Sequence, residues 1–335
     1  MSYPTGYISV MGAGSWGTTL AKLLAEKGYD VTIFAYEQEI ADSINKDSVN
    51  CVFFPDIVLP HNIKAVTNPI EAVAKARYIV NVVPTQHIRS VFSTAASGMR
   101  DEAIIISASK GIEVSSHMTP SMILKNILGK KISVLSGPSF ADEVIRKMPT
   151  AVTLGTEDLK AGLLLQEMFN TDYFRVYTHD DTIGVEVGGA LKNVIAIASG
   201  ICSGLGLGHD ARAALITRGL SELARLGTSM GAKEKTFAGL SGLGDLVLTC
   251  TGSLSRNYTV GFKLGQGQKL SDITGQVKTI AEGVATTRSA FELSNKLSIE
   301  MPITEQVYRV LYEDKSPAEA VKGLMNRSPK SEFDG

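Results

Sequence analysis

The apolar positions change character about halfway along the chain. Up to residue 180 they come in short β-prone runs, at 7–11, 31–35, 78–83, 103–108, 131–135, 151–155 and 173–177, bounded by glycine, proline or small polar residues. Runs that are apolar at nearly every position predict strands covered on both faces, as in a parallel sheet wrapped by helices. From Thr182 onward the β signal stops, and apolar residues recur at helical spacing over 182–208, 211–226, 237–249, 258–265, 284–297 and 305–312. The predicted class is α/β: an N-terminal Rossmann-like doubly wound sheet over residues 1–181, followed by an all-helical domain over 182–335. Residues 45–68, with Pro55 and Pro60, read as an irregular loop carrying no identifiable chemistry, and 328–335 as a loose tail.

The first apolar run leads directly into Gly12-Ala13-Gly14-Ser15-Trp16-Gly17 and then a helix pattern over 18–27 closed by Gly28. In such a strand–turn–helix, Gly12 permits the tight turn, Gly14 lets backbone approach a pyrophosphate, and Gly17 lets the helix lie against the strand. The helix N-terminus then faces the phosphates. The alternative is a glycine-rich turn that binds nothing. The following strand ends Ala35-Tyr36-Glu37, so the acid that reads an NAD ribose is displaced and no arginine stands there for a 2′-phosphate. Tyr36 is placed either to stack on adenine or simply to pack.

The most unusual stretch is 182–208, apolar and small almost throughout, with Lys192 near its middle. At helical spacing Val185, Gly188, Gly189, Lys192, Ile195, Ala196 and Ser199 share a face, so the lysine emerges from a stripe that lets backbone or ligand come close. Its ammonium is either snorkelled to water or held in a dry cleft, where it can donate a proton. Lys110 follows a buried-type strand, at the sheet edge where α/β proteins bind ligands, although a surface lysine is the plainer reading. Ser136-Gly137-Pro138-Ser139-Phe140-Ala141 follows another, and offers backbone N–H groups at Gly137 and Ser139, or else a turn in which Ser139 caps a helix over 142–147. Asp245 starts a helix, either as a cap or to orient Lys192. Ser255-Arg256-Asn257 gathers donors at a helix start, where a phosphate fits; a polar turn with an exposed arginine is the alternative. Residues 279–283, including Ile280 and Glu282, form a small-residue turn able to close over a cofactor.

Composition narrows the field. A net charge of −1 argues against nucleic acid as a partner while leaving room for a basic pocket for one small phosphorylated ligand. Cys51, Cys202 and Cys250 are widely spaced and form no metal or disulfide pattern, which suits a reducing cytoplasm. Residues 1–6 lack the regions of a signal peptide, and 182–208 carries Glu186, Lys192 and many glycines, so no membrane association is expected.

Taken in order, GAGSWG, SASKG, SGPSFA, GGALKNV, GLGDL and LSRNY closely resemble the bacterial NAD(P)-dependent glycerol-3-phosphate dehydrogenase family, and the likeness runs from the first strand to about Tyr312. The resemblance implies that Lys192 is the proton donor and acceptor, with Lys110, Gly137, Ser139, Asp245, Ser255, Arg256 and Asn257 around the substrate. It places Gly12, Gly14, Ser15, Trp16, Gly17, Tyr36, Lys110, Ala141, Arg256, Ile280 and Glu282 along NAD or NADP, with no metal. It further implies reduction of dihydroxyacetone phosphate to sn-glycerol 3-phosphate for phospholipid synthesis, by a homodimer. Relatives often carry a basic residue where this chain has Ala35-Tyr36-Glu37, which leaves the coenzyme preference open. A related 3-hydroxyacid-type dehydrogenase would share the helix-borne lysine without needing Ser255-Arg256-Asn257. A non-catalytic dinucleotide sensor would keep Gly12, Gly14 and Gly17 without needing Lys192.

Overall fold

The computed structural model of the chain describes residues 6–275, 281–329 and 331–332. Eight strands form one sheet in the order β3-β2-β1-β4-β5-β6-β7-β8. They are β1 (Tyr7–Met11), β2 (Asp30–Phe34), β3 (Ile63–Val66), β4 (Tyr78–Asn81), β5 (Ile104–Ser107), β6 (Ile132–Ser136), β7 (Thr150–Gly155) and β8 (Phe174–His179). The first six are mutually parallel. Between the strands run α1 (Ser15–Glu26), α2 (Gln38–Asp47), α3 (Pro69–Val73), α4 (Ile88–Ala95), α5 (Pro120–Leu128), α6 (Ala141–Ile145) and α7 (Leu159–Phe169).

Alternation along the strands sorts the helices onto two faces. Ile8, Val10, Val80 and Ile106 pack with Leu20, Leu24, Ile40, Val144 and Leu165 from α1, α2, α6 and α7. Ile79 and Ile105 point the other way, onto Val73, Phe92 and Ile123 from α3, α4 and α5. Covering both faces is what the continuous apolar runs required, and each fully buried aliphatic side chain contributes about 1.5–3 kcal/mol.

The span 45–68 is not wholly irregular. Its first residues complete α2, and its last part is the edge strand β3, whose Ile63 and Ala65 face inward while Lys64 is exposed. A four-residue strand with one charged position, directly after two prolines, carries too short an alternation to stand out.

β7 pairs antiparallel with β6, and β8 runs parallel to β7. The chain therefore leaves the sheet at the edge opposite the carboxyl ends of β1 to β6. The long helix α8 (Thr182–Gly204) starts at that far edge and climbs beside β6. A Cβ added at Gly155 would touch Thr182 and Val185, and one at Gly189 would strike the Ser136 hydroxyl at the end of β6. This path carries the middle of α8 up to the carboxyl edge of the sheet.

α8 is buried from Gly184 to Cys202 and forms the axis of the helical domain. It is long and apolar enough to cross a membrane by length and composition, yet all of that stretch is covered by the protein itself. Around it lie α9 (His209–Ser229), α10 (Asp245–Thr251), α11 (Arg256–Gly265), α12 (Leu270–Gly275), α13 (Glu282–Lys296), α14 (Pro302–Tyr312) and α15 (Pro317–Met325). The small residues of α8 serve packing as well as access. A side chain at Gly200 would meet the Tyr258 carbonyl of α11, and one at Gly261 the Ile197 carbonyl of α8, so these two helices touch backbone to backbone.

The single helix expected over 237–249 is instead a 3-10 turn (Glu234–Ala238), a π turn (Leu240–Gly244) and α10. A Cβ at Gly242 would strike the backbone of Phe237, and one at Gly188 of α8 the Ser241 carbonyl, so this turn and α8 pack closely. Turns of π geometry favour functional sites.

Candidate active site

The turns after β1, β4, β5 and β6 all open on the carboxyl edge, where a doubly wound sheet binds its ligands. The turn after β5 supplies Lys110 and the turn after β6 supplies Gly137, whose carbonyl accepts a 3.0 Å bond from Lys110 Nζ. Gly137 has φ +141°, and a Cβ there would lie 2.9 Å from Val152 Cα. The turn thus requires glycine in order to aim its carbonyl at Lys110.

α8 brings Lys192 to the same point, and α10 brings Asp245. The Asp245 carboxylate is fully buried and shared: Oδ1 accepts from Lys192 Nζ, and Oδ2 accepts from Lys110 Nζ at 2.6 Å. Lys192 Nζ also donates to Thr249 Oγ1 at 2.9 Å, while that hydroxyl donates 2.6 Å to the Asp245 carbonyl. An ammonium has three donors. Among the described residues Lys192 uses two, on Asp245 and Thr249, and Lys110 uses two, on Asp245 and Gly137. Each lysine therefore keeps one N–H for a ligand, and two cations against one anion leave the cluster net positive.

Burial pushes the Lys192 ammonium down from 10.5 to about 8, with Lys110 acting in the same sense and Asp245 opposing both. A lysine near 8 is a usable acid and a usable base close to neutrality, which a solvated lysine is not.

Arg256 opens α11 behind Ser255, whose Oγ accepts from Tyr258 N at 3.2 Å as the helix cap and keeps its own proton to donate. The Arg256 side chain makes no ion pair or hydrogen bond among the described residues. Asn257 is buried, its Oδ1 accepting 3.0 Å from Gly283 N, and its amide nitrogen has no partner among the described residues. The α11 start therefore presents free guanidinium, amide and hydroxyl donors to an anion. Glu282, the first residue of α13, reaches across to the Thr85 amide after β4 at 3.1 Å. Burial raises its carboxyl to about 7, against the lowering effects of the Thr85 amide and Arg256. A Cβ at Gly111 would lie 3.0 Å from Glu282 Oε2 and 2.6 Å from Thr85 Oγ1, so the Lys110 turn, the β4 turn and α13 meet in one place.

The β1–α1 turn fits a dinucleotide. A Cβ at Gly17 would strike the Gly12 carbonyl, whereas one at Gly14 would meet nothing within 4 Å. The first glycine pair closes the turn, and Gly14 leaves an open face at the α1 N-terminus, which has no capping side chain and no acid in its first turn. Ser15 and Trp16 begin α1, and the Trp16 indole N–H is buried without a partner. Ala141, the first residue of α6, is tied to this end of α1 through Thr19 Oγ1, which donates to its carbonyl at 3.2 Å.

The structure gathers Lys110, Gly137, Lys192 and Asp245 into one cluster, and Ser255, Arg256, Asn257 and Glu282 beside it. Asp245 does not cap its helix; its carboxylate is taken by the lysines. Ser139 does not cap α6 either: its hydroxyl turns back to the Gly137 carbonyl at 3.0 Å. Tyr36 stands 83% exposed beyond the end of β2. Ile280 lies outside the described residues. Sequence reasoning missed Thr249, although its place four residues after Asp245 puts both on one helical face.

Family models match the chain in two parts: NAD-dependent glycerol-3-phosphate dehydrogenase N-terminus over residues 7–162, and the C-terminus of the same family over 181–322. The chain is similar to the glycerol-3-phosphate dehydrogenase (NAD(P)+) of Geobacter metallireducens, at 53% identity over 97% of this chain and 98% of that protein. It is similar to the protein of the same name from Citrifermentans bemidjiense at 52% identity, covering 97% and 98%. Among solved structures, the glycerol-3-phosphate dehydrogenase of Coxiella burnetii superposes with a TM-score of 0.93 at 40% identity, covering 96% of this chain and 99% of that one.

Proposed function

The chain belongs to the NAD-dependent glycerol-3-phosphate dehydrogenase family, and on that premise we propose that it catalyses the reversible NAD(P)H-dependent reduction of dihydroxyacetone phosphate to sn-glycerol 3-phosphate. The observation that carries this reading is the buried carboxylate of Asp245 held between two lysines, each with an N–H to spare. When bound, the nicotinamide supplies the hydride or takes it up. Reduction of the C2 carbonyl builds negative charge on its oxygen. Lys192 meets that charge with its free N–H and delivers the proton; Asp245 and Thr249 hold the ammonium in place. Lys110 points its remaining N–H into the same space. Arg256, Asn257 and Ser255 hold the terminal phosphate, so that binding energy far from C2 fixes its orientation.

The proposed site comprises Lys192 as catalytic residue, with Lys110, Gly137, Ser139, Asp245, Ser255, Arg256 and Asn257 on the substrate. Gly12, Gly14, Ser15, Trp16, Gly17, Tyr36, Lys110, Ala141, Arg256, Ile280 and Glu282 are proposed to line the coenzyme. The domain division is proposed at residue 182, where β8 has ended and α8 begins. Full-length likeness to bacterial relatives supports extending the proposal to a cytoplasmic homodimer that feeds phospholipid synthesis. With neither an acid nor an arginine at Ala35-Tyr36, both coenzymes are expected to be used. The test is nicotinamide absorbance with dihydroxyacetone phosphate and each coenzyme in turn. No turnover with either coenzyme would overturn the reading.

A further inference from the structure

The loop after α2 was expected to carry no chemistry, yet it holds the most fully bonded side chain near the glycine turn. Asn50 is completely buried. Its Nδ2 donates to the Ala13 carbonyl at 2.9 Å and to Thr18 Oγ1 at 2.8 Å, and its Oδ1 accepts from the Val52 and Phe53 amides at 3.3 and 3.2 Å. A primary amide has two donor and two acceptor positions, and here all four are used. One bond falls on the turn between β1 and α1, one on the first turn of α1, and two on the loop that carries Asn50.

We infer that Asn50 is a positioning residue for the coenzyme, acting through the Ala13–Gly14 peptide plane. The inference rests on the coenzyme reading above. A trans peptide is planar, so its carbonyl and the following N–H point in opposite directions. By holding the Ala13 carbonyl inward, Asn50 aims the Gly14 N–H outward, onto the open face where a Cβ would meet nothing. By holding Thr18, it fixes the first turn of α1, whose Thr18 N–H bonds the Gly14 carbonyl at 2.9 Å. The donors for the pyrophosphate are thus oriented before the ligand arrives, which lowers the cost of ordering on binding. No other side chain among the described residues donates to the Ala13 carbonyl except Thr18, whose contact is long at 3.4 Å.

The test is an equilibrium titration of the full-length wild type and of Asn50→Ala, Asn50→Asp and Thr18→Val with NADH and NADPH. It follows the emission of Trp16, the sole tryptophan and the second residue of α1. Aspartate keeps both acceptors but loses both donors and sets a carboxylate against the Ala13 carbonyl. The coenzyme Kd is expected to rise about tenfold or more in both Asn50 variants. In Thr18→Val, which keeps the Ala13 bond, it rises about threefold. At saturating coenzyme, kcat and the KM for dihydroxyacetone phosphate stay within about threefold of wild type. Folded variants whose coenzyme Kd is unchanged, or whose substrate KM rises as much as the coenzyme Kd, overturn the inference and return Asn50 to a purely structural role. If Asn50→Ala and Asn50→Asp fail to fold, Thr18→Val decides alone. A wild type that shows no saturable response to either coenzyme overturns the coenzyme reading itself.

Discussion

Two of the buried carboxylates of the helical domain, Glu222 and Asp245, are held in opposite ways. At the junction of α9 and α14, Glu222 accepts from the Ile303 amide at 2.5 Å, the Thr304 amide at 3.0 Å and the Thr304 hydroxyl at 2.8 Å. It faces no ammonium, and burial raises it to about 7, with Arg225 only partly offsetting this. It is a distant cap for the N-terminus of α14 and engages three donors there. Asp245 faces two lysines whose donors it does not exhaust. Burial of a charge therefore does not by itself mark function. What separates the two regions is that the lysines facing Asp245 keep N–H donors with no partner among the described residues.

The comparison breaks first at Lys192. Lys192→Ala is expected to lower kcat/KM for dihydroxyacetone phosphate by about a thousandfold or more while coenzyme affinity holds. A variant within about tenfold of wild type would place Lys192 with Glu222 among the structural groups.

Asp245→Asn comes next. It removes the one group that raises the Lys192 ammonium, so that pKa falls below about 8 and the buried Lys192 faces the partly buried Lys110 with no anion between them. Loss of kcat/KM of about a hundredfold is expected. The sign of the pH dependence follows from the same shift. Reduction needs the protonated lysine and declines as pH rises through about 8, whereas oxidation needs the neutral lysine and increases over that range. In Asp245→Asn both limbs move to lower pH. Profiles that stay in place would show that Asp245 does not act through Lys192.

Arg256→Lys keeps the charge but loses the two-pronged fit to phosphate, and about a tenfold loss in kcat/KM is expected, on the order of 1.4 kcal/mol. Dihydroxyacetone without its phosphate is the control. Wild type should use it very poorly, and the variant should be little worse on it. Equal losses on both compounds would remove Arg256 from the phosphate site.

Glu222→Gln is the smallest change and tests the other side of the comparison, with kcat and KM expected within about twofold of wild type. Because the folded-state pKa of Glu222 lies above its unfolded value, its contribution to stability is full below about 4.5 and is lost as pH rises through about 7. The variant should show a shallower decline of Tm between those limits, measured by thermal melts across pH. An unchanged slope with a large loss of activity would mean that the α9–α14 junction serves catalysis after all.

Sequence reasoning was strongest where one residue type has one physical use. The apolar runs specified a sheet covered on both faces, because runs this short between turn residues suit buried strands, whereas a buried helix needs a longer one. Gly12, Gly14 and Gly17 in their context specified the turn, because only glycine admits the Gly12–Gly17 contact and the open face at Gly14. The helical spacing of the stretch from Thr182 specified one buried axis with a lysine in it. Reasoning was weakest where a short element depends on its neighbours, as at β3 and at the broken helix before Asp245.

The tertiary structure alone decided the chemical state of that lysine. Asp245 lies 53 residues beyond Lys192 and 135 beyond Lys110, and no local spacing relates them. They meet because β7 and β8 reverse direction, which starts α8 at the far edge of the sheet and brings its middle to the near one. The pairing of Asn50 with Ala13, 37 residues apart, likewise depends on the fold, which returns the loop after α2 to the β1–α1 turn. Periodicity records which face of an element is buried, and that can be read locally. Which donors remain free depends on every group that arrives from elsewhere, and only the folded chain determines it.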